Sequence, residues 1–157
     1  MNAIKKVLWA TDLDDEEVSA LDEAVEMTRL NSAELVLLHV VEPLPVATGA
    51  GAGMAPNVAP PAADPTSTEK QRTEQKRASL AAVANDQVSD DIVKKTRVER
   101  GSAPEKIVEV ANEENADLLV LATHGRRGIK RLVLGSVAEQ VVRRAPCPVL
   151  TVNPSAE

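Results

Sequence analysis

The sequence predicts an α/β fold: an open, doubly wound, five-stranded parallel sheet with helices on both faces. Three observations predict it. Leu35 to Leu38 and Leu118 to Leu121 are unbroken apolar runs, as strands covered on both sides require. Helix-like segments alternate with the strand-like ones, and strands joined by right-handed helical crossovers form a parallel sheet. With 157 residues, 43% of them hydrophobic, the chain is long enough to bury one ordinary core.

Each element follows from local chemistry. The first strand runs roughly from Ile4 to Ala10 and leads into Thr11-Asp12. The first helix starts near Asp14 or Asp15, where four consecutive acids complement the helix dipole, and it sets Val18, Leu21, Ala24, Val25 and Thr28 on one face. The second strand is Glu34 to Val41. A second helix is expected from about Thr68 to Val88, with Leu80, Ala81, Ala84 and Val88 as its apolar face. The third strand is about Ile92 to Glu99, and Gly101 ends the turn after it. Ser102 with Glu105 reads as a capping box, and Pro104 occupies the first helical turn, where its missing N–H costs little. Ile107, Val110 and Ala111 form that helix's buried stripe. Leu118 to Ala122, Val137 to Arg144 and Val149 to Val152 complete the series as strand, helix and strand.

One domain over residues 1–153 is therefore expected, with a short tail at 154–157. Between about Pro43 and Pro65 lie six of the ten prolines and three of the seven glycines. This stretch reads as a mobile linker, with a lid or docking segment as the functional alternative. Its Gly49-Ala50-Gly51-Ala52-Gly53 has the wrong spacing for a dinucleotide fingerprint, and Met54-Ala55-Pro56 follows where a helix should begin.

The most informative stretch is Gly125-Arg126-Arg127-Gly128, Ile129 to Leu134, then Gly135-Ser136. It follows the fourth strand and precedes the last helix. Glycines let a backbone approach phosphate closely, and the amides of a helix N-terminus point at the anion. Arg126, Arg127, Lys130 and Arg131 concentrate positive charge there on a chain of net charge -6. The same residues also fit a plainer reading, in which the glycines mark turns, Ser136 with Glu139 is a capping box and the basic loop is solvated.

Composition excludes several classes. With no Phe, no Tyr and one Trp, base-stacking platforms are lacking, and the acidic balance disfavours nucleic acid as a partner. The lone Cys147 rules out an internal disulfide and leaves no metal-ligand spacing; it reads as a packing residue at a strand entry. No apolar run approaches the ~18 residues that span a bilayer. Lys5-Lys6 precede too short an apolar run for a signal segment, so a cytoplasmic address without membrane partner is expected.

Gly125, Gly128, Gly135 and Ser136, followed by Val137-Ala138-Glu139-Gln140-Val141 and then Ala145-Pro146-Cys147-Pro148-Val149-Leu150, closely resemble the C-terminal signature of the universal stress proteins. Ile4 to Ala10 with Thr11-Asp12 resembles that family's first strand and turn, and Leu37-Leu38-His39-Val40 its second strand. The likeness spans nearly the whole chain outside the linker. It implies the adenine nucleotide alpha hydrolase-like fold, with ATP and magnesium as ligands. By resemblance Gly125, Gly135 and Ser136 match phosphate-contacting positions, Asp12 an adenosine-side position, and Val40 a residue whose backbone meets the adenine. Ala10, Ala122, His124, Arg127, Gly128 and Val137 complete the expected binding set. One departure stands out: the ATP-binding branch has a glycine three residues before Gly125, where this chain has Ala122.

The remaining candidates divide by environment. His124 borders the glycine loop as a phosphate contact or a turn residue, while His39, in a buried strand, reads as a satisfied core histidine. Asp12 is a candidate partner for magnesium; Asp14, Asp15, Glu16 and Glu17 are better explained by the helix dipole. No nucleophile, general base or metal constellation is legible. Binding of ATP as a regulatory module is thus expected over catalysis, with at most slow hydrolysis. A nucleotide-free dimeric interaction protein is the alternative. An ATP-pyrophosphatase-type enzyme fits less well, since the first strand enters Thr11-Asp12-Leu13-Asp14 and not a Ser- and Gly-rich loop. A homodimer through the edge strand Val149 to Val152 is expected, as an open apolar edge is commonly paired.

Overall fold

The computed structural model describes residues 2–13, 18–45, 65–123 and 134–153. Nine elements alternate along these: β1 Lys6–Thr11, α1 Val18–Asn31, β2 Glu34–Val41, α2 Pro65–Gln87, β3 Lys94–Arg100, α3 Ala103–Glu113, β4 Leu118–Ala122, α4 Ser136–Arg144 and β5 Val149–Val152. The five strands are all parallel, in the order β3-β2-β1-β4-β5. The expected doubly wound sheet is the observed one.

Alternation along the strands divides the core in two. Val7, Trp9, Leu35, Leu37 and Val120 turn to the face covered by α1 and α2, joining Leu21, Ala24, Leu80 and Ala84. Leu8, Ala10, Val36, Leu38 and Leu121 turn to the other face, against Ile107, Val110 and Ala111 of α3 and Ala138 and Val141 of α4. Strands buried on both sides must be apolar at every position, which is why β1, β2 and β4 read as continuous runs. On α1, the expected Leu21, Ala24, Val25 and Thr28 are buried, together with Ala20. The start of that helix at Asp14 or Asp15 falls outside the described residues.

Several boundaries differ from expectation. The second helix begins at Pro65, so that proline opens α2, as its fixed φ favours, and is not part of a linker. The rest of the expected linker, past Pro45, lies outside the described residues. β3 begins at Lys94 and not Ile92. Ile92 still belongs to the turn after α2, donating its N–H to the Ser89 carbonyl at 3.2 Å, while its side chain plugs the core.

Both expected capping boxes are absent. Ser102 is the N-cap of α3 but makes no side-chain cap bond. The Ala103 N–H donates instead to Glu42 Oε1, 3.1 Å away at the end of β2. Ser136 is already inside α4; Gly135 is the N-cap, and the Glu139 N–H reaches its carbonyl at 2.9 Å. Gly101 adopts φ +139, a conformation that favours glycine, while its N–H donates to the Val41 carbonyl. Among the described residues no helix is long and apolar enough to cross a membrane.

Candidate functional site

The chain winds outward from β1 to β2 and β3, then returns across the sheet to β4 and β5. The direction reverses between β1 and β4. In open parallel sheets a ligand crevice forms there, beyond the carboxyl ends of the strands. Register sets the level of each candidate. Thr11 is opposite His39, so Asp12 and Val40 come one residue later on adjacent strands. Ala10 is opposite Leu121, so Thr11 and Ala122 share the next level.

The fourth strand's exit is closed by two backbone bonds. The Thr123 N–H donates to the Val152 carbonyl at 2.9 Å, and the Gly135 N–H donates to the Thr123 carbonyl at 2.7 Å. The second bond brings together the two ends of the segment 124–133. It places the N-terminus of α4, with Gly135, Ser136 and Val137, directly beside the carboxyl end of β4. Three of the expected segments, at Asp12, at Val40 and at Ala122 with Gly135 to Val137, therefore meet at one end of the sheet. His124, Gly125, Arg127 and Gly128, with Arg126, Lys130 and Arg131, lie outside the described residues.

The side chains do not all face the same way. Asp12 and Ser136 are exposed; Val40 and Val137 are half-buried against the α3–α4 face, where Ala10 is buried. Ala122 turns to the opposite face, its methyl packed in the cluster containing Val7 and Trp9. The alternation of β4 sends that methyl into the core, away from the strand's exit. Gly135 has φ -59 and ψ 157, angles open to any residue. A glycine there leaves room for close approach and is not needed for the backbone angle.

The turn after β1 holds a backbone strain that the sequence does not signal. Leu13 has φ 65, a left-handed conformation that costs a branched residue on the order of 1 kcal/mol. Its N–H donates to Thr11 Oγ1 at 2.8 Å. His39 is a satisfied core histidine, as its apolar strand suggests: it is buried, with Nδ1 2.8 Å from the Thr11 carbonyl. Burial and the charges of Lys76 and Arg72 outweigh that bond and Asp12, and hold the imidazole below its ordinary pKa of 6.5. Trp9, two residues before Thr11, is buried with no acceptor for its indole N–H among the described residues. Leaving such a donor unmade costs about 1–3 kcal/mol.

The plainer candidates stay plain. Cys147 is half-buried, and burial followed by the charge of Asp117 pushes its thiol up, away from reactivity. Arg143 and Arg144 pair with Glu139 and Gln140 one turn earlier on α4. Among the described residues no three His, Cys, Asp or Glu side chains converge as a metal site.

Comparison with known proteins agrees with this geometry. Residues 3–153 match the model of the universal stress protein family. A universal stress protein of Methanocaldococcus jannaschii is 30% identical over 153 residues, covering 97% of this chain and 84% of its own length. A Staphylococcus aureus protein carrying the same family name is 31% identical over 157 residues, covering 98% and 86%. Among solved structures, the protein MJ0577, whose biochemical function was assigned from its structure, superposes with a TM-score of 0.76 at 23% identity, covering 97% of each chain. A universal stress protein in complex with cAMP superposes with a TM-score of 0.61 at 23% identity, covering 98% of this chain and all of its own. The chain belongs to the universal stress protein family.

Proposed function

We propose that this universal stress protein binds ATP with magnesium in the crevice between the carboxyl ends of β1 and β4, and acts as a regulatory, stress-response module in the cytoplasm. One observation carries the reading: the 2.7 Å bond from Gly135 to the Thr123 carbonyl, which sets a helix N-terminus beside the turn bearing Asp12. A helix start offers unpaired amides and a positive dipole end to phosphate. Asp12 and the Val40 backbone would meet the adenosine side, and Gly125, Arg127, Gly128, Gly135 and Ser136 the phosphates. Magnesium is usually held by one or two carboxylates plus the phosphates themselves, and Asp12 supplies one such carboxylate. A relative found in complex with cAMP supports an adenine nucleotide as the ligand class.

Calorimetry with ATP and magnesium tests the proposal. Wild-type protein should give saturable heat, and Asp12→Ala and Gly135→Val should each weaken binding about tenfold, the first by losing a charged contact and the second by crowding the phosphates. No heat and no thermal shift at millimolar ATP would sink the nucleotide reading and leave an interaction protein.

The assembly we propose is a homodimer through β5, the sheet's edge on this side. All four residues of β5 are only half-buried. The carbonyls of Pro148 and Val152 accept from β4, so by alternation the backbone of Val149 and Thr151 faces the open side. A second copy pairing there would satisfy both through a two-fold contact. Thr151→Pro removes an outward donor and should shift the species seen by light scattering from dimer to monomer; a wild-type monomer at tens of micromolar would refute the assembly.

A further inference from the structure

We propose that His39 is a positioning residue for the nucleotide site: its imidazole holds the Thr11 carbonyl and thereby fixes the orientation of Asp12. The inference deepens the nucleotide reading and rests on it. A carbonyl oxygen only accepts, so Nδ1 of His39, 2.8 Å away, must carry the proton and donate. His39 is 6% exposed in a strand whose other residues after Glu34 are all Leu and Val. A buried imidazole costs desolvation that a leucine would not, so its place there is explained by the bond it makes.

That bond has a specific consequence for Asp12. The Thr11 carbonyl belongs to the peptide plane before Asp12, and the Leu13 N–H belongs to the plane after it. His39 holds the first plane from β2, and Thr11 Oγ1 holds the second at 2.8 Å. With both flanking planes held, the backbone angles of Asp12 are set. Leu13 at φ 65 shows that the turn is strained, and a strained turn persists only where its surroundings over-determine it. Removing the imidazole takes away the side-chain bond on the first plane and leaves the strand ladder, in which Thr11 pairs with His39, to hold it, and Asp12 then samples orientations that miss the ligand.

The test is a double-mutant cycle read by calorimetric titration of ATP with magnesium into wild type, His39→Leu, Asp12→Ala and the double variant. His39→Leu should weaken ATP about fivefold to tenfold, the size of one net hydrogen bond, and should cost nothing further in the Asp12→Ala background. His39→Asn, whose side-chain amide puts a donor near the position of Nδ1, should retain affinity within about twofold, whereas His39→Gln should not. If the leucine variant fails to fold, that Asn and Gln pair decides the question by itself. Wild-type affinity in His39→Leu, or equal losses in both backgrounds, overturns the positioning role while leaving the nucleotide site intact. Absence of ATP binding to wild type overturns the site itself and this role with it.

Discussion

The two ends of the parallel sheet are built on opposite principles. At the amino end, charged groups saturate one another. The Asp117 carboxylate accepts the backbone N–H groups of Lys5 and Lys6 at 2.9 and 3.0 Å. Glu114, buried at the close of α3, meets Lys95 at 2.7 Å, Arg97 at 2.9 Å and Lys6 at 3.4 Å. Arg97 in turn reaches Glu99 and Glu113. At the carboxyl end, by contrast, Asp12 and Ser136 are exposed, Leu13 is strained, and the buried N–H of Trp9 finds no acceptor among the described residues. One end uses polar groups to hold the fold together. The other leaves a carboxylate and a helix start exposed beside a strained turn, as ligand sites commonly do.

Ionic pairing at the amino end also closes the α3–α4 face. On β3, Val98 faces the α1–α2 core, while Lys95, Arg97 and Glu99 point to the side where α3 ends. The helix stops in a left-handed turn, with Asn115 at φ 53 and the Ala116 N–H donating back to the Ala111 carbonyl. That turn delivers Glu114 to the three cations. Burial alone would raise the Glu114 carboxyl, but the bonds from Lys95 and Arg97 prevail and hold it at about 2 against an ordinary 4.5. Burial would likewise lower Arg97, yet Glu99, Glu113 and Glu114 raise it above its usual range.

The sharpest way to break this contrast is to remove the acid at the centre of the stabilising end. Glu114→Ala takes one carboxylate partner from each of Lys95, Lys6 and Arg97, of which Lys6 keeps Glu34 and Arg97 keeps Glu99 and Glu113, and should cost about 2 kcal/mol of unfolding free energy in urea titration. ATP affinity of the folded variant should stay at the wild-type value, since the crevice lies at the far end of the strands. A variant that folds but binds ATP several-fold more weakly would show that the two ends are coupled.

Acid should separate the ends in the same order. Because the folded pKa of Glu114 lies below its unfolded value, its contribution is fully present above about pH 4.5 and is lost as pH falls toward about 2. Allowing for solvent screening, the loss is on the order of 2 kcal/mol. Glu114→Gln, which cannot ionise, should flatten that part of the stability profile. An unchanged slope between those pH values in the glutamine variant would assign the acid sensitivity to other carboxylates.

The two ends also differ in how much of them the sequence shows. Leu35 to Leu38 and Leu118 to Leu121 announce buried strands because burial on both faces leaves no position for a polar residue. The carboxyl-end segments are legible through local glycine spacing and the Thr11-Asp12 turn. What stays hidden is non-local. Nothing around Glu42 signals that its side chain caps a helix 61 residues later, and nothing around Glu114 names Lys95 or Lys6 as partners. Local capping rules point to Ser102 and Ser136, and neither makes the expected bond, because Glu42 reaches the first helix start and Gly135 takes the cap position in the second. The left-handed Leu13 is equally hidden, since leucine is a residue that local preference would not place there.

The smallest expected effect lies where core and crevice meet, at Ala122. Its methyl is 8% exposed and packs with Trp9 and Val7 on the α1–α2 face, while its backbone forms the strand exit that leads to the loop. Ala122→Gly removes a buried methyl and adds backbone freedom to the unfolded chain, so stability should fall by about 1 kcal/mol. Binding should tighten slightly or stay unchanged, because the glycine frees the loop exit without removing any group that would touch ATP. Thermal unfolding and calorimetric titration of the same preparation separate the two effects. A clear loss of ATP affinity in a folded Ala122→Gly protein would mean that the methyl supports the loop from within the core, and that the line drawn between the two ends runs too far toward the carboxyl side.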